Sequence, residues 1–188
     1  MKYSLTGLAI FFSNLIYAQS NFGFTDVTIM KKKGDSVNCL IKLEINYGDI
    51  ITYKDYQDAP EKKMDIKDIK SIRFPFKYLE NITLDNKEKL VTLIDRGKIS
   101  LYNYVEVKNG ETVDVPKSGG GKFTPSKTIV HYIINVGTKY IELEENLFRE
   151  NLKPFINDCS ELNNKVDNNV YSFTDIVTII KAYNSCKQ

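Results

Sequence analysis

The sequence predicts an α+β domain: a mostly antiparallel sheet system, as a sandwich or a partly open barrel, followed by a helical tail from about residue 145 to 188. Three observations lead there. From Phe24 to Leu143 apolar residues recur mainly at every second position, β-branched and aromatic side chains alternating with polar ones between short turns. After Leu147 the apolar period becomes that of a helix. Ahead of both stands an apolar run from Leu5 to Ile16, which ends at Tyr17-Ala18 and gives way to Gln19-Ser20-Asn21.

That run reads as a secretory signal peptide over residues 1–18: one lysine, a short apolar stretch and a small residue at the cut. A spanning helix needs about 20 apolar residues, and polar sequence begins at Gln19. A lipoprotein would carry cysteine where Gln19 stands, so the mature product is expected to be soluble. Residues 19–188 then form one domain.

The clearest strand runs from Val37 through Cys39, Ile41 and Leu43 to Ile45, with one face buried. Val27 to Lys31 precedes it across a Gly34-Asp35 turn, and Tyr47-Gly48-Asp49 leads into Ile50 to Lys54, so the domain opens as a meander. Gln57 to Lys70, rich in lysine and aspartate, reads as a connection in which Pro60 starts a single helical turn. Short strands follow at Ser71 to Phe74 and Ile82 to Leu84. Lys89 to Asp95 and Lys98 to Val107 flank Arg96-Gly97 as a hairpin, with positive φ expected at the glycine. Asn109-Gly110, two prolines and Gly119-Gly120-Gly121 mark Lys108 to Lys127 as a loop. Thr128 to Val136 and Lys139 to Leu143 form a last hairpin around Gly137.

In the tail, Leu147, Phe148, Leu152, Phe155 and Ile156 lie at helical spacing, where Pro154 is expected to kink the segment or begin a second helix. Ser172-Phe173-Thr174-Asp175 has the spacing of a capping box, and Phe173, Ile176, Ile180 and Tyr183 then share a face that Cys186 continues.

Few residues carry recognisable chemistry. With three cysteines, Cys159 and Cys186 are the expected disulfide because both continue apolar stripes in the tail, and Cys39 faces inward from a strand; three separate thiols is the alternative. His131 is the only histidine, so no site needing two imidazoles exists in one chain, and no carboxylate spacing suggests a metal. A Cys39 and His131 nucleophile pair lacks any local signature; a strand residue on the wetter face is the better account of His131. Ser118-Gly119-Gly120-Gly121-Lys122 only superficially resembles a phosphate loop, since Pro116 and Phe123 stand where glycine and a hydroxyl are required. Asp65 and Asp68 lie among lysines, as in a solvated connection rather than a glycosidase pair. No cofactor is expected.

The strings Gly97-Lys98-Ile99-Ser100-Leu101-Tyr102-Asn103-Tyr104, Asp158-Cys159 and Tyr183-Asn184-Ser185-Cys186 resemble a group of uncharacterised exported proteins of Bacteroidota. In these a G-K-x-x-L-Y strand precedes a helical tail ending in Y-N-x-C, and Lys33-Gly34-Asp35-Ser36-Val37 resembles their early turn. The resemblance implies an envelope or secreted location and a cysteine pair in the tail. It implies no activity.

A formal charge of +2 gives no electrostatic case for nucleic acid. The expected function is a non-catalytic interaction module, periplasmic or secreted, that binds an envelope protein or cell-surface component. The alternatives are an extracytoplasmic hydrolase without a recognisable motif and a small-ligand carrier using a barrel interior. The expected contact surface comprises Tyr102 and Tyr104, on one strand face with Tyr132 contributed from another strand, and the adjoining loop with Lys117, Lys122 and Lys127.

Overall fold

The computed structural model describes residues 23–44, 47–110 and 124–186, with the main chain at 113–115 and 121–123. The expected signal peptide, Gln19 and Lys117 lie outside the described residues, and so does the side chain of Lys122. The strands are β1 (Phe24–Lys31), β2 (Ser36–Lys42), β3 (Ile50–Lys54), β4 (Lys62–Asp65), β5 (Ile69–Arg73), β6 (Tyr78–Leu84), β7 (Lys87–Asp95), β8 (Ser100–Asn109), β9 (Val113–Val115), β10 (Gly121–Phe123), β11 (Ser126–Val136) and β12 (Lys139–Leu143). Three helices follow, α1 (Phe148–Ile156), α2 (Ser160–Asp167) and α3 (Ile176–Ser185).

Ten strands form one open antiparallel sheet in the order β12-β11-β8-β7-β6-β5-β1-β2-β3-β4. The opening meander β1 to β3 is as expected; β4 extends it by one strand, and β5 then returns to pair with the other edge of β1. Turn chemistry sets the registers. Asp85 and Asn86 both take positive φ between Leu84 and Lys87, the geometry of a two-residue hairpin turn. Gly137 does the same work between Val136 and Lys139, with φ of +65°.

Cross-strand registers carry one face through Ile29, Ile72, Leu79, Thr92, Asn103 and Tyr132. That face holds two cores. On the β1 to β6 side the sheet curls over Val27, Ile29, Cys39, Ile41, Ile51, Ile66, Ile69 and Ile72. On the β7, β8, β11 and β12 side it is covered by the helices, which bury Leu101, Ile134 and Leu143 against Leu152, Ile156, Ile176, Ile180 and Tyr183. The opposite face carries a smaller cluster of Ile82, Leu84, Val91, Tyr102 and Ile133.

Several local expectations are corrected. The lysine-rich connection contains the edge strand β4, and its helical turn is Ile66–Asp68, capped by Asp65, whose Oδ1 accepts the Lys67 amide at 2.8 Å. Lys62 and Lys63 obscured the alternation, yet charge is what a free sheet edge requires to resist further pairing. The long loop is partly ordered into β8, β11 and the small β9–β10 pair. Pro154 sits inside α1 without ending it; in the last turn its missing amide forfeits a single helical bond.

Gly97 does not take positive φ. Its small size matters instead, because a Cβ there would overlap the side-chain amide of Asn184. Asn184 reaches from α3 to bond the main chain of Ile99 and the Asp95 carboxylate, and Lys98 Nζ donates to the Cys186 carbonyl at 3.1 Å. The glycine-lysine hairpin and the tyrosine-asparagine helix end are thus two halves of one contact. Cys159 and Cys186 form the disulfide, with Cα atoms 6.3 Å apart, tying the end of α3 to the start of α2. No described helix is long and apolar enough to cross a membrane.

Candidate interaction surface

β8 alternates its side chains so that Tyr102, Tyr104 and Glu106 share the face opposite the helices. Register with β11 places Ile133 opposite Tyr102 and His131 opposite Tyr104, and register with β12 places Glu142 beside Ile133. Tyr132 pairs with Asn103 and so faces the other way, where its ring meets Phe173. The expected three-tyrosine platform is therefore not formed. A strand reverses facing at every residue, and Tyr132 is one position out of step.

Tyr102 and Tyr104 differ sharply in environment. Tyr102 is 3% exposed and packs with Val91, Ile133 and Tyr140, its hydroxyl donating to Glu80 at 3.1 Å. Arg96 bonds the same Glu80 oxygen. Burial pushes the Tyr102 phenol well above its usual range, with the Glu80 charge adding to it. Tyr102 is a core residue and offers no contact surface.

Tyr104 is half-buried and belongs to a polar cluster. Its ring stacks on His131 with centroids 4.5 Å apart and planes 3° from parallel. The Lys89 ammonium stands over the ring, 3.6 Å from the centroid. The hydroxyl donates to both Glu142 oxygens, at 3.1 and 3.2 Å. Desolvation raises its pKa, and Glu142 raises it further.

His131 is clasped by carboxylates at both ring nitrogens: Nδ1 lies 2.6 Å from Glu142 and Nε2 lies 3.0 Å from Glu106. Glu106 also faces Lys108 at 3.4 Å. Partial desolvation pushes the Glu106 carboxyl up, but the His131 hydrogen bond and Lys108 outweigh it and hold the group below the usual range. Cys39 lies elsewhere, buried in the curled core on the other face and separated from β11 by several strands. Burial, with the Asp55 charge, pushes its thiol up to about 11.

The surface is completed by a split in the sheet. β7 and β8 pair only where Thr92 to Asp95 meets Leu101 to Asn103. Past Asn103, β8 stays with β11 while β7 stays with β6. A cleft of about 790 Å³ opens where they part, lined by Tyr47, Asp49, Lys67, Lys87, Lys89 and Tyr104, among others.

Sequence reasoning missed Lys89, Glu106 and Glu142. Glu106 was legible as the next same-face position after Tyr104, whereas Glu142 and Lys89 come to the site through pairings between distant segments. Among the described residues no group of three or more histidine, cysteine or carboxylate side chains is arranged to hold a metal ion.

No protein-family model, curated protein or solved structure matches the chain.

Proposed function

We propose that the protein is a non-catalytic interaction module of the cell envelope or exterior, and that it binds an envelope protein or cell-surface component through the Tyr104 surface and the neighbouring cleft. The observation that carries this reading is the parting of β7 and β8, which puts Tyr104, Lys89 and free strand edges beside one open cleft. Half-buried aromatic rings with polar tips suit a surface that is wet when free and covered when bound.

The chemistry of the cluster favours binding over catalysis. Both nitrogens of His131 are engaged by carboxylates, and the hydroxyl nearest them, Tyr104, is held by Glu142 with its ionisation suppressed. A carrier using a barrel interior is disfavoured because the sheet is open and side chains such as Ile29, Ile41, Ile51, Ile69 and Ile72 pack its curled part. The groove of about 680 Å³ beside them, lined by Val27, Cys39 and Phe74 among others, is open to solvent. The disulfide and the signal-like start favour an extracytoplasmic site.

The test is photo-crosslinking in native envelopes, with a photoreactive residue in place of the exposed Lys108. A discrete adduct that disappears in Tyr104→Ala is expected. No adduct, or one indifferent to Tyr104, would overturn the reading.

A further inference from the structure

We propose that the cleft between β7 and β8 takes an extended acidic peptide, which adds as a strand to the free edge of β8. The proposal rests on the reading of this face as an interaction surface and names the chemistry of the partner.

The main chain comes first. Over Tyr104 to Asn109, β8 is paired on one side with β11, and over Lys87 to Val91, β7 is paired on one side with β6. Among the described residues no strand pairs with the other side of either stretch. Each lip of the cleft therefore presents amide and carbonyl groups that an added strand can satisfy, the mode by which extended peptides extend sheets. The volume of about 790 Å³ accommodates a short stretch of chain.

Charge then selects the occupant. The cleft's two glutamates are already engaged: Glu88 by Lys32 at 2.6 Å and by Asn81 at 2.7 Å, and Glu106 by His131 and Lys108. Lys67, Lys87 and Lys89 line the same cleft and make no direct ion pair with a carboxylate among the described residues. Against these three ammonium groups stand two carboxylates without a direct ion pair among the described residues, Asp49 in the lining and Asp85, whose charge acts on Tyr104, so the cleft keeps a positive excess. A strand carrying glutamate or aspartate at alternate positions places its carboxylates toward Lys87 and Lys89, which share the Tyr104 face, and its other side chains away from them.

The outward tyrosine gives a further foothold. Lys89 is held over the Tyr104 ring, so its charge is fixed at the mouth of the cleft rather than dispersed into solvent.

The experiment uses the whole exported chain and three blocked synthetic peptides: one alternating glutamate with valine and threonine, its lysine counterpart, and the glutamate peptide with alternate amides N-methylated. Only the first is expected to bind. Its binding should protect from hydrogen exchange the alternate amides within Tyr104 to Asn109 that point away from β11, and weaken at least about tenfold in Lys87→Glu/Lys89→Glu. Lys89 is half-buried against Tyr104, so Lys87→Glu alone, at an exposed position, should weaken binding in the same direction with the melting temperature unchanged. Failure of the glutamate peptide to bind, binding indifferent to the charge reversal or to N-methylation, or binding without protection of β8 would each overturn the proposal. If a native adduct at Lys108 depends on Tyr104 while the acidic peptide does not bind, this inference fails and the interaction reading stands. If the peptide binds but no adduct depends on Tyr104, the reading fails alone.

Discussion

The side-chain amide of Asn184 docks on the main chain of Ile99 much as a neighbouring strand would, its Oδ1 accepting the Ile99 amide at 3.0 Å and its Nδ2 donating to the Ile99 carbonyl at 2.8 Å. The same Nδ2 reaches the Asp95 carboxylate at 2.6 Å, so one asparagine closes both sides of the β7–β8 connection. Gly97 makes room for it.

Replacing Asn184 with alanine strands the part-buried groups of Ile99 and should cost about 2 to 3 kcal/mol in urea denaturation. Gly97→Ala alone should cost about 1 to 3 kcal/mol through overlap with the asparagine, and markedly less in the Asn184→Ala background. Equal cost in both backgrounds would mean that Gly97 serves some other purpose.

The two tyrosines of β8 should separate by mutation. Tyr102→Ala empties a site in the third cluster and is expected to lower stability by about 3 to 4 kcal/mol. Tyr104→Ala should cost only about 1 kcal/mol, because it gives up a stacked pair at a half-exposed position. A binding study therefore needs Tyr104 variants, since loss of capture in Tyr102→Ala would report on folding.

Cleavage of the Cys159–Cys186 bond, as in Cys159→Ser/Cys186→Ser, should lower stability by about 3 to 4 kcal/mol on the loop-entropy account. Cys39 should stay unalkylated in the native protein at neutral pH. Its folded thiol titrates at about 11 against an ordinary 9.0. Below the ordinary value both states hold the proton and pH has no effect; above it the unfolded state loses the proton first, so stability falls as pH rises from about 9 to about 11. Calorimetry of the wild type against Cys39→Ala should show that part of the alkaline loss vanish in the variant.

His131→Gln can satisfy only one of the two carboxylates with its amide donors and should cost about 1 kcal/mol, modest because the site is partly wet. Glu106 supplies the pH arm. Its folded carboxyl is depressed, so its contribution is present above the ordinary carboxylate range and is lost as pH falls through the depressed value. Carbon-detected titration should find Glu106 shifted upward in the variant; an unchanged titration would assign the depression to Lys108.

Much of the architecture was legible in the residues. Alternation located β2, β8 and β11, the capping box at Ser172 and Asp175 located the start of the last helix, and the apolar stripes paired the right cysteines. What stayed hidden depends on partners far away in the chain. Nothing local to β1 announces β5 on its far edge, and nothing in His131-Tyr132 says which of the two shares a face with Tyr104. The carboxylates around His131 arrive from separate strands, and the cleft exists only because β7 and β8 stop pairing after Asn103.

The order of elements along the chain has a cost during synthesis. Every strand precedes the three helices, so the face bearing Leu101, Ile134 and Leu143 is made before Leu152, Ile176 and Ile180 exist to cover it. A nascent chain in that interval carries an uncovered apolar sheet face with two open edges, the kind of surface that associates with other chains or with chaperones. Holding the chain unfolded until α3 has been made removes the hazard, and export in an unfolded form would do so.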